Sequence, residues 1–305
     1  RDHGYNVFTG LNLAQADINY NGIYCRSRSG VNVRMDTLDL LFTYNAGEQT
    51  LNQVYLYRTL DRYIPILNSY RSFALSEDKF RTNLMLRINN VATPDFQLIP
   101  TTQPEKLQAI FHEWGGKLVS KPLDGWGGIG VTKVESENTL KSLIAYAEKK
   151  NTQWFYVERL IDYDKTDFRV DIVNGEYLGC YGRKAPKGEW KTNISSGGSV
   201  FLRDPEPAVI DLAKRATAAT GLDIAGVDII YDRATETYRV LEVNGIPAFA
   251  TPEQEKLGLT FNARKVELII ELIVSRVNQQ SATKQPDNHL TIVQDNVIPI
   301  AQCVA

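Results

Sequence analysis

The chain has 305 residues, 43% of them hydrophobic, enough for about two domains at roughly 100 to 200 residues each, so disorder as the default is excluded. Lys plus Arg total 34 against 36 Asp plus Glu, a net charge of -2. No global field draws such a molecule to nucleic acid or anionic lipid, and any phosphate chemistry must use locally placed cations.

Apolar positions alternate between two periods along the chain. Residues 3–8 read as the end of a helix passing through Gly4 into a strand, followed by a strand over 39–43 and helices over 50–63, 77–88 and 104–114. Next come strands over 118–121 and 130–134, a helix over 139–149, and strands over 155–160, 168–173 and 177–181. A helix over 206–220, strands over 227–231 and 238–243 and a helix over 263–277 complete the series. The class is α/β with several antiparallel hairpins. Residues 279–288 are polar and include Pro286, which reads as a linker. Beyond them, 289–293 suits a strand and 297–305 a helix. Residues 289–305 are expected to supply the first strand and helix of the N-terminal domain, as in a circular permutant. An unrelated tail after a trimmed start is the alternative.

Cys25, Cys180 and Cys303 lie far apart with no CxxC pair, and the histidines are His3, His112 and His289, so zinc and a disulfide framework find little support. A reducing, cytoplasmic setting fits best. No apolar run approaches the roughly 18 to 20 residues of a spanning helix, so no membrane partner is expected.

The strongest local signal is KPLDGWGGIGV (121–131), where Gly125, Gly127, Gly128 and Gly130 permit close ligand approach. Its GxGxxG spacing is not a dinucleotide fingerprint, because a strand follows where that motif requires a helix. The Lys-Ser or Lys-Thr ending of a P-loop is absent, as are the HRD and DFG motifs of a protein kinase. A glycine-rich flap between two strands remains, with an ordinary tight hairpin as the plain alternative.

The second signal is AGVDIIYDRATETYRVLEVNG (225–245), two apolar strands carrying Asp228, Glu242 and Asn244. Period-two alternation puts Glu242 and Asn244 on one face, and Asp228 on the partner strand could complete a hard oxygen cluster suited to Mg²⁺. Strand carboxylates satisfied by a surface lysine are the alternative. Between these segments, Asp167 and Arg169 share a strand face, while Arg183, Lys184, Lys187 and Lys191 crowd a glycine-containing loop that can bind anions.

Taken together, these segments resemble an ATP-grasp ligase of the RimK-like group of ATP-dependent carboxylate-amine ligases. EDKFRTNLML (77–86) is similar to the family's DK-R helix, KPLDGWGGIGV to its second lysine and flap, and FYVERLI (155–161) to its adenine hinge. DFRVDIVNGE, GRKAPKGEWKTNISSGG, AGVDII and LEVNG follow in family order, and the likeness covers roughly residues 1–277. It implies an ATP-grasp fold: an N-terminal Rossmann-like pre-ATP-grasp domain (1–74 plus 289–305), a small central α/β subdomain with the flap (75–160), and a C-terminal antiparallel-sheet subdomain with the metal site (161–278) before the linker at 279–288. By the same likeness Lys79 and Lys121 contact the nucleotide phosphates, Gly127 and Gly128 close over them, Glu158, Arg159 and Leu160 hold adenine, and Asp167 lies near the ribose. Asp228, Glu242 and Asn244 would hold two Mg²⁺ ions, with Mn²⁺ as a substitute. Arg169, Arg183 and Asn193 would face the γ-phosphate and the reacting carboxylate. Two departures stand out: VNGIPAF (243–249) replaces the common VNASPG, and Arg159 replaces a common aromatic residue.

The implied enzyme activates a carboxylate with ATP as an acylphosphate and forms an amide with an amine, most simply L-glutamate added to an acidic small-molecule or peptide acceptor. The resemblance also allows a homo-oligomer. A related ligase using another amine, a nucleotide-binding regulatory module without turnover, and a kinase that stops at phosphorylation are the competing expectations.

Overall fold

The computed structural model describes residues 4–44, 50–125 and 127–283. Residues 4–8 form neither helix nor strand, contrary to the strand expected there, while residues 1–3 and the proposed wraparound at 289–305 lie outside the described residues. The chain begins with a three-stranded antiparallel meander, β1 (Asp17–Asn19), β2 (Gly22–Arg26) and β3 (Asn32–Arg34). A single βαβ crossover follows: β4 (Leu41–Phe42), α1 (Leu51–Leu60) and β5 (Ile66–Leu67), with β4 and β5 parallel. Thr50 starts α1 with a reciprocal capping box to Gln53. Met35, Leu56, Leu60 and Ile66 close this layer's core.

Two short helices, α2 (Tyr70–Ser76) and α3 (Lys79–Ile88), lead into a second layer. Asp78 caps α3 by accepting a hydrogen bond from the Arg81 amide at 2.9 Å, which sets Lys79 at the helix's first position. β6 (Phe96–Pro100), α4 (Pro104–Glu113), β7 (Leu118–Lys121), β8 (Thr132–Val134), α5 (Glu137–Lys149) and β9 (Trp154–Arg159) follow. Their four-stranded sheet has the order β6-β9-β7-β8 and packs on α4 and α5 through Leu107, Leu118, Leu140 and Val157. The glycine segment spans the β7–β8 connection, as its reading as a flap between strands requires.

The third layer is a five-stranded antiparallel sheet, order β12-β11-β10-β13-β14, built from β10 (Thr166–Val173), β11 (Glu176–Lys184), β12 (Ser199–Phe201), β13 (Ile224–Asp232) and β14 (Thr237–Asn244). α6 (Pro207–Thr220) covers one face, where Phe168, Val170, Leu212, Val227 and Val240 are buried together. The other face carries Asp167, Arg169 and Asp228. α7 (Pro252–Lys256) and α8 (Asn262–Thr283) close the described chain. α8 runs to Thr283, through the first half of the segment read as a polar linker, and packs Leu268, Ile269 and Leu272 against Leu67, Val173 and Ile224. A polar side chain also joins the layers: Asn68 donates to the carbonyls of Ile224 (2.8 Å) and Gly245 (2.7 Å) and accepts from the amides of Asp223 (2.7 Å) and Ile224 (2.9 Å).

Candidate active site

A cleft of about 890 Å³, counting its open mouth, lies between the four-stranded and five-stranded sheets under the glycine flap. Lys79 and Lys121 enter from one side, and Asp167, Arg183, Asp228 and Glu242 from the other. The register of the antiparallel strands explains the second group. Asp228 pairs with Glu242 across β13 and β14, and a bulge immediately beyond leaves Leu241 as an extra residue on β14. A bulge re-aims side chains at a sheet's working face. Leu241 lines the cleft as well.

The ion pairs are mutually dependent. Arg183 forks onto Asp167 (Nε to Oδ1 2.9 Å, Nη2 to Oδ2 2.6 Å), and the same Nη2 lies 2.8 Å from Oδ2 of Asp228. Thr192 also donates to Asp167. Burial raises the Asp167 carboxyl above its ordinary value, against the pull of Arg183. Arg169 Nε stands 2.6 Å from Oδ1 of Asp228, but the approach is too bent for a hydrogen bond, so that buried oxygen accepts none. Glu242 is held above the usual carboxylate range by burial and then by the neighbouring Asp228 charge, with Lys79, 3.8 Å from its Oε1, acting the other way.

On the opposite wall Lys121 Nζ lies 2.5 Å from Oε2 of Glu158, whose Oε1 accepts from Tyr156 OH (2.8 Å) and Asn83 (3.2 Å). Glu158 therefore anchors a lysine with its side chain rather than offering it to a ligand. Leu160 lines the cleft just past the end of β9, while Arg159 directs its guanidinium outward, 3.7 Å from Asp95. The described flap residues are tied down by hydrogen bonds from neighbouring side chains. Lys79 donates to the Gly125 carbonyl, Lys191 to that of Gly128 (3.0 Å), and Ser195 to that of Gly127 (2.8 Å). Gly128 has φ +73°, and a Cβ there would stand 2.9 Å from Oδ1 of Asn193. Only glycine fits that approach comfortably.

Of the residues expected from sequence, Lys79, Lys121, Gly128, Glu158, Arg159, Leu160, Asp167, Arg183, Asn193, Asp228 and Glu242 line this one cleft. Gly127 sits beside it in the flap. Arg169 and Asn244 are not among the lining residues: Arg169 pairs with Asp228, and Asn244 donates its side-chain N–H to the Gly226 carbonyl at 3.3 Å. The expected metal set is therefore two carboxylates with a neighbouring amide. Among the described residues no group of three or more His, Cys, Asp or Glu side chains is arranged to hold a metal ion. Two hard carboxylates, one with an oxygen free of hydrogen bonds, do fit Mg²⁺, which is commonly held by one or two carboxylates plus substrate phosphates. Trp190 and Tyr163 complete the wall and were not singled out from sequence. Tyr163 donates to the Trp190 carbonyl, and Lys133 and Lys191 lie 6.0 and 5.7 Å from the Trp190 ring centroid.

Comparison with known proteins agrees with this geometry. Residues 76–269 match the model of the RimK-like ATP-grasp domain. The chain is 30% identical over 222 residues to tetrahydromethanopterin:alpha-L-glutamate ligase from Methanocaldococcus jannaschii, covering 70% of this chain and 74% of that protein. It is 27% identical over 241 residues to ribosomal protein bS6--L-glutamate ligase from Shigella boydii, covering 79% and 76%. The crystal structure of a RimK domain ATP-grasp protein from Sphaerobacter thermophilus superposes with a TM-score of 0.59 at 16% identity, over 81% of this chain and 83% of that one. A family match spanning most of the chain, over the very strands and helices that build the cleft, means that the chain belongs to the RimK-like ATP-grasp ligases.

Proposed function

We propose that the chain is an ATP-dependent carboxylate-amine ligase that adds L-glutamate to an acidic acceptor, a coenzyme, peptide or protein end, through an acylphosphate. The observation that carries this reading is the convergence of Lys79, Lys121, Asp228 and Glu242, from three distant parts of the chain, on one flap-covered cleft. The names of the similar proteins supply the glutamate and the kinds of acceptor. On this reading the reaction belongs in the cytoplasm, residues 75–160 are the subdomain with the flap and residues 161–278 the subdomain with the metal site.

A carboxylate attacks phosphorus poorly beside a polyanionic triphosphate, so charge must be neutralised first. Lys79 and Lys121 hold the phosphates, Gly127 and Gly128 close over them, the Glu158–Leu160 segment receives adenine and Asp167 the ribose. Asp228 and Glu242, with Asn244 beside them, would hold two Mg²⁺ ions, which would neutralise phosphate charge. Arg169, Arg183 and Asn193 face the γ-phosphate and the attacking carboxylate, whose oxygen takes the phosphoryl group as ADP leaves. An amine then displaces phosphate from the acyl carbon. The closed flap keeps water from the acylphosphate. Mass spectrometry of products from ATP, Mg²⁺, L-glutamate and a pool of acidic metabolites and peptides tests the reading. One added glutamyl residue supports it, whereas an added phosphate or ATP binding without any product refutes it.

A further inference from the structure

Three charged residues of β10, Asp167, Arg169 and Asp171, follow one another at alternate positions, and each has a partner: Arg183, Asp228 and Lys265 respectively. The first two pairs belong to the cleft, and the third stands behind it. Lys265 comes from α8 and has no exposed surface. Its Nζ lies 3.0 Å from Oδ2 of Asp171, 2.8 Å from the Pro247 carbonyl, 3.1 Å from the Ala248 carbonyl and 4.7 Å from the Phe249 ring centroid. An ammonium has three donors, and all three are used. Burial lowers the pKa of this lysine, against the pull of Asp171. An apolar side chain would fill the same space without the desolvation cost. What the lysine adds is donors aimed at two consecutive carbonyls of the loop 245–250.

That loop directly follows Glu242 and Asn244. It is gripped elsewhere as well, by Tyr44 donating to the Pro247 carbonyl and by Asn262, which donates to the Ala250 carbonyl (2.8 Å) and accepts from its amide (2.9 Å). Pro247 and Arg169 both crowd the space above Gly226. A Cβ on that glycine would stand 2.5 Å from Nη1 of Arg169 and 2.8 Å from Cβ of Pro247. Arg169 thus runs between the Asp228 carboxylate and the loop. On the ligase reading above, we propose that Lys265 with Asp171 is a positioning pair: it holds the loop 245–250 as the wall that sets Arg169 towards the reacting carboxylate.

The test compares full-length wild type with Lys265→Met and with Asp171→Asn/Lys265→Met. The single variant leaves an ionised aspartate buried without its partner, so its melting temperature falls. The double variant removes both charges, regains most of that melting temperature and binds a non-hydrolysable ATP analogue within about twofold of wild type. Its kcat for ADP release, with L-glutamate and the acceptor pool that serves the wild type, is nevertheless expected to fall about tenfold or more, the scale of a small misplacement of a reacting group. Turnover within about twofold of wild type in the double variant overturns the proposal, since the pair would then be only a stability element. Hydrogen exchange at the amides of residues 246, 248, 249 and 250 supplies a readout independent of turnover. It is expected to quicken about tenfold in the double variant, and unchanged exchange likewise overturns the proposal. A wild type that ligates nothing would defeat the ligase reading, while the exchange result would still decide whether Lys265 orders the loop.

Discussion

Lys121 and Glu158 meet across the β7–β9 pair, Nζ 2.5 Å from Oε2, with only 3% of the Glu158 side chain exposed. The carboxylate is itself fixed by Tyr156 and Asn83, so the lysine reaches the cleft as a preset cation. Glu158→Gln keeps the shape and removes the charge. The substitution is expected to raise KM for ATP about tenfold, equivalent to about 1.4 kcal/mol, the scale of a hydrogen bond to a charged group. Steady-state ADP release checks it, and an unchanged KM would show that Lys121 is set by something else.

Glu242→Ala removes a carboxylate at the Asp228 pairing position while leaving the β13–β14 ladder in place. ADP formation is expected to drop to background with far-UV circular dichroism unchanged. Wild-type turnover by this variant would contradict the assignment of the metal site.

The flap offers a paired comparison. Gly125 and Gly128 both have positive φ, +90° and +73°, yet a Cβ at Gly125 meets nothing within 4 Å whereas one at Gly128 comes within 2.9 Å of Asn193. Gly125→Ala carries backbone strain alone, about 1 to 2 kcal/mol. Gly128→Ala adds a clash in the closed state and should lower kcat further, with a rising share of ATP hydrolysed without amide. The ratio of ADP to ligated product, measured for both variants, separates the two effects.

Asp232 illustrates the acid limit of stability. Burial works to raise its pKa, but hydrogen bonds from Thr235 and Arg239, each 2.8 Å, and from the Ala234 amide hold it below the ordinary value. A depressed carboxylate contributes stability above its unfolded pKa of about 3.9 and loses it as pH falls through the lower folded value. Asp232→Asn is therefore expected to flatten the fall in urea midpoint below about pH 4. An acid limb as steep as that of wild type would assign the effect to other groups.

Asn68→Ala would strip hydrogen bonds from four backbone groups at once. A loss of about 3 to 5 kcal/mol in urea unfolding is expected, since each buried group left unmatched costs about 1 to 3 kcal/mol and some will admit water. Asn68→Asp should not rescue the protein, because a carboxylate cannot donate to the Ile224 and Gly245 carbonyls. Stability equal to wild type in either variant would refute this role.

The hairpin β13–β14 and the alternation along β10 were plain in the sequence, because apolar residues at every second position face α6 and leave the charged ones opposite. The meander β1–β3 was not, since β1 is exposed at all three of its positions and offers no apolar alternation. β6 escaped because it is a sheet edge ending in Pro100, and α2 because seven residues are too few to display a helical period. The same alternation that placed Asp167 and Arg169 also places Asp171. Nothing local pointed to Lys265, 94 positions away, which reads as an ordinary solvent-facing cation on an amphipathic helix. Strand alternation gives the face of Asn244 but not that its side-chain N–H would bond the Gly226 carbonyl.

Asn68 also has a consequence for the order in which the protein can be assembled on the ribosome. Its partners lie 155 to 177 positions downstream, so a nascent chain that has emerged only as far as α6 contains none of them. Leu67, buried against Val173, Ile224 and α8 in the finished fold, must wait for the same late segments. The seam around Asn68 and Leu67 can therefore close only after the segments that follow α6 have been made.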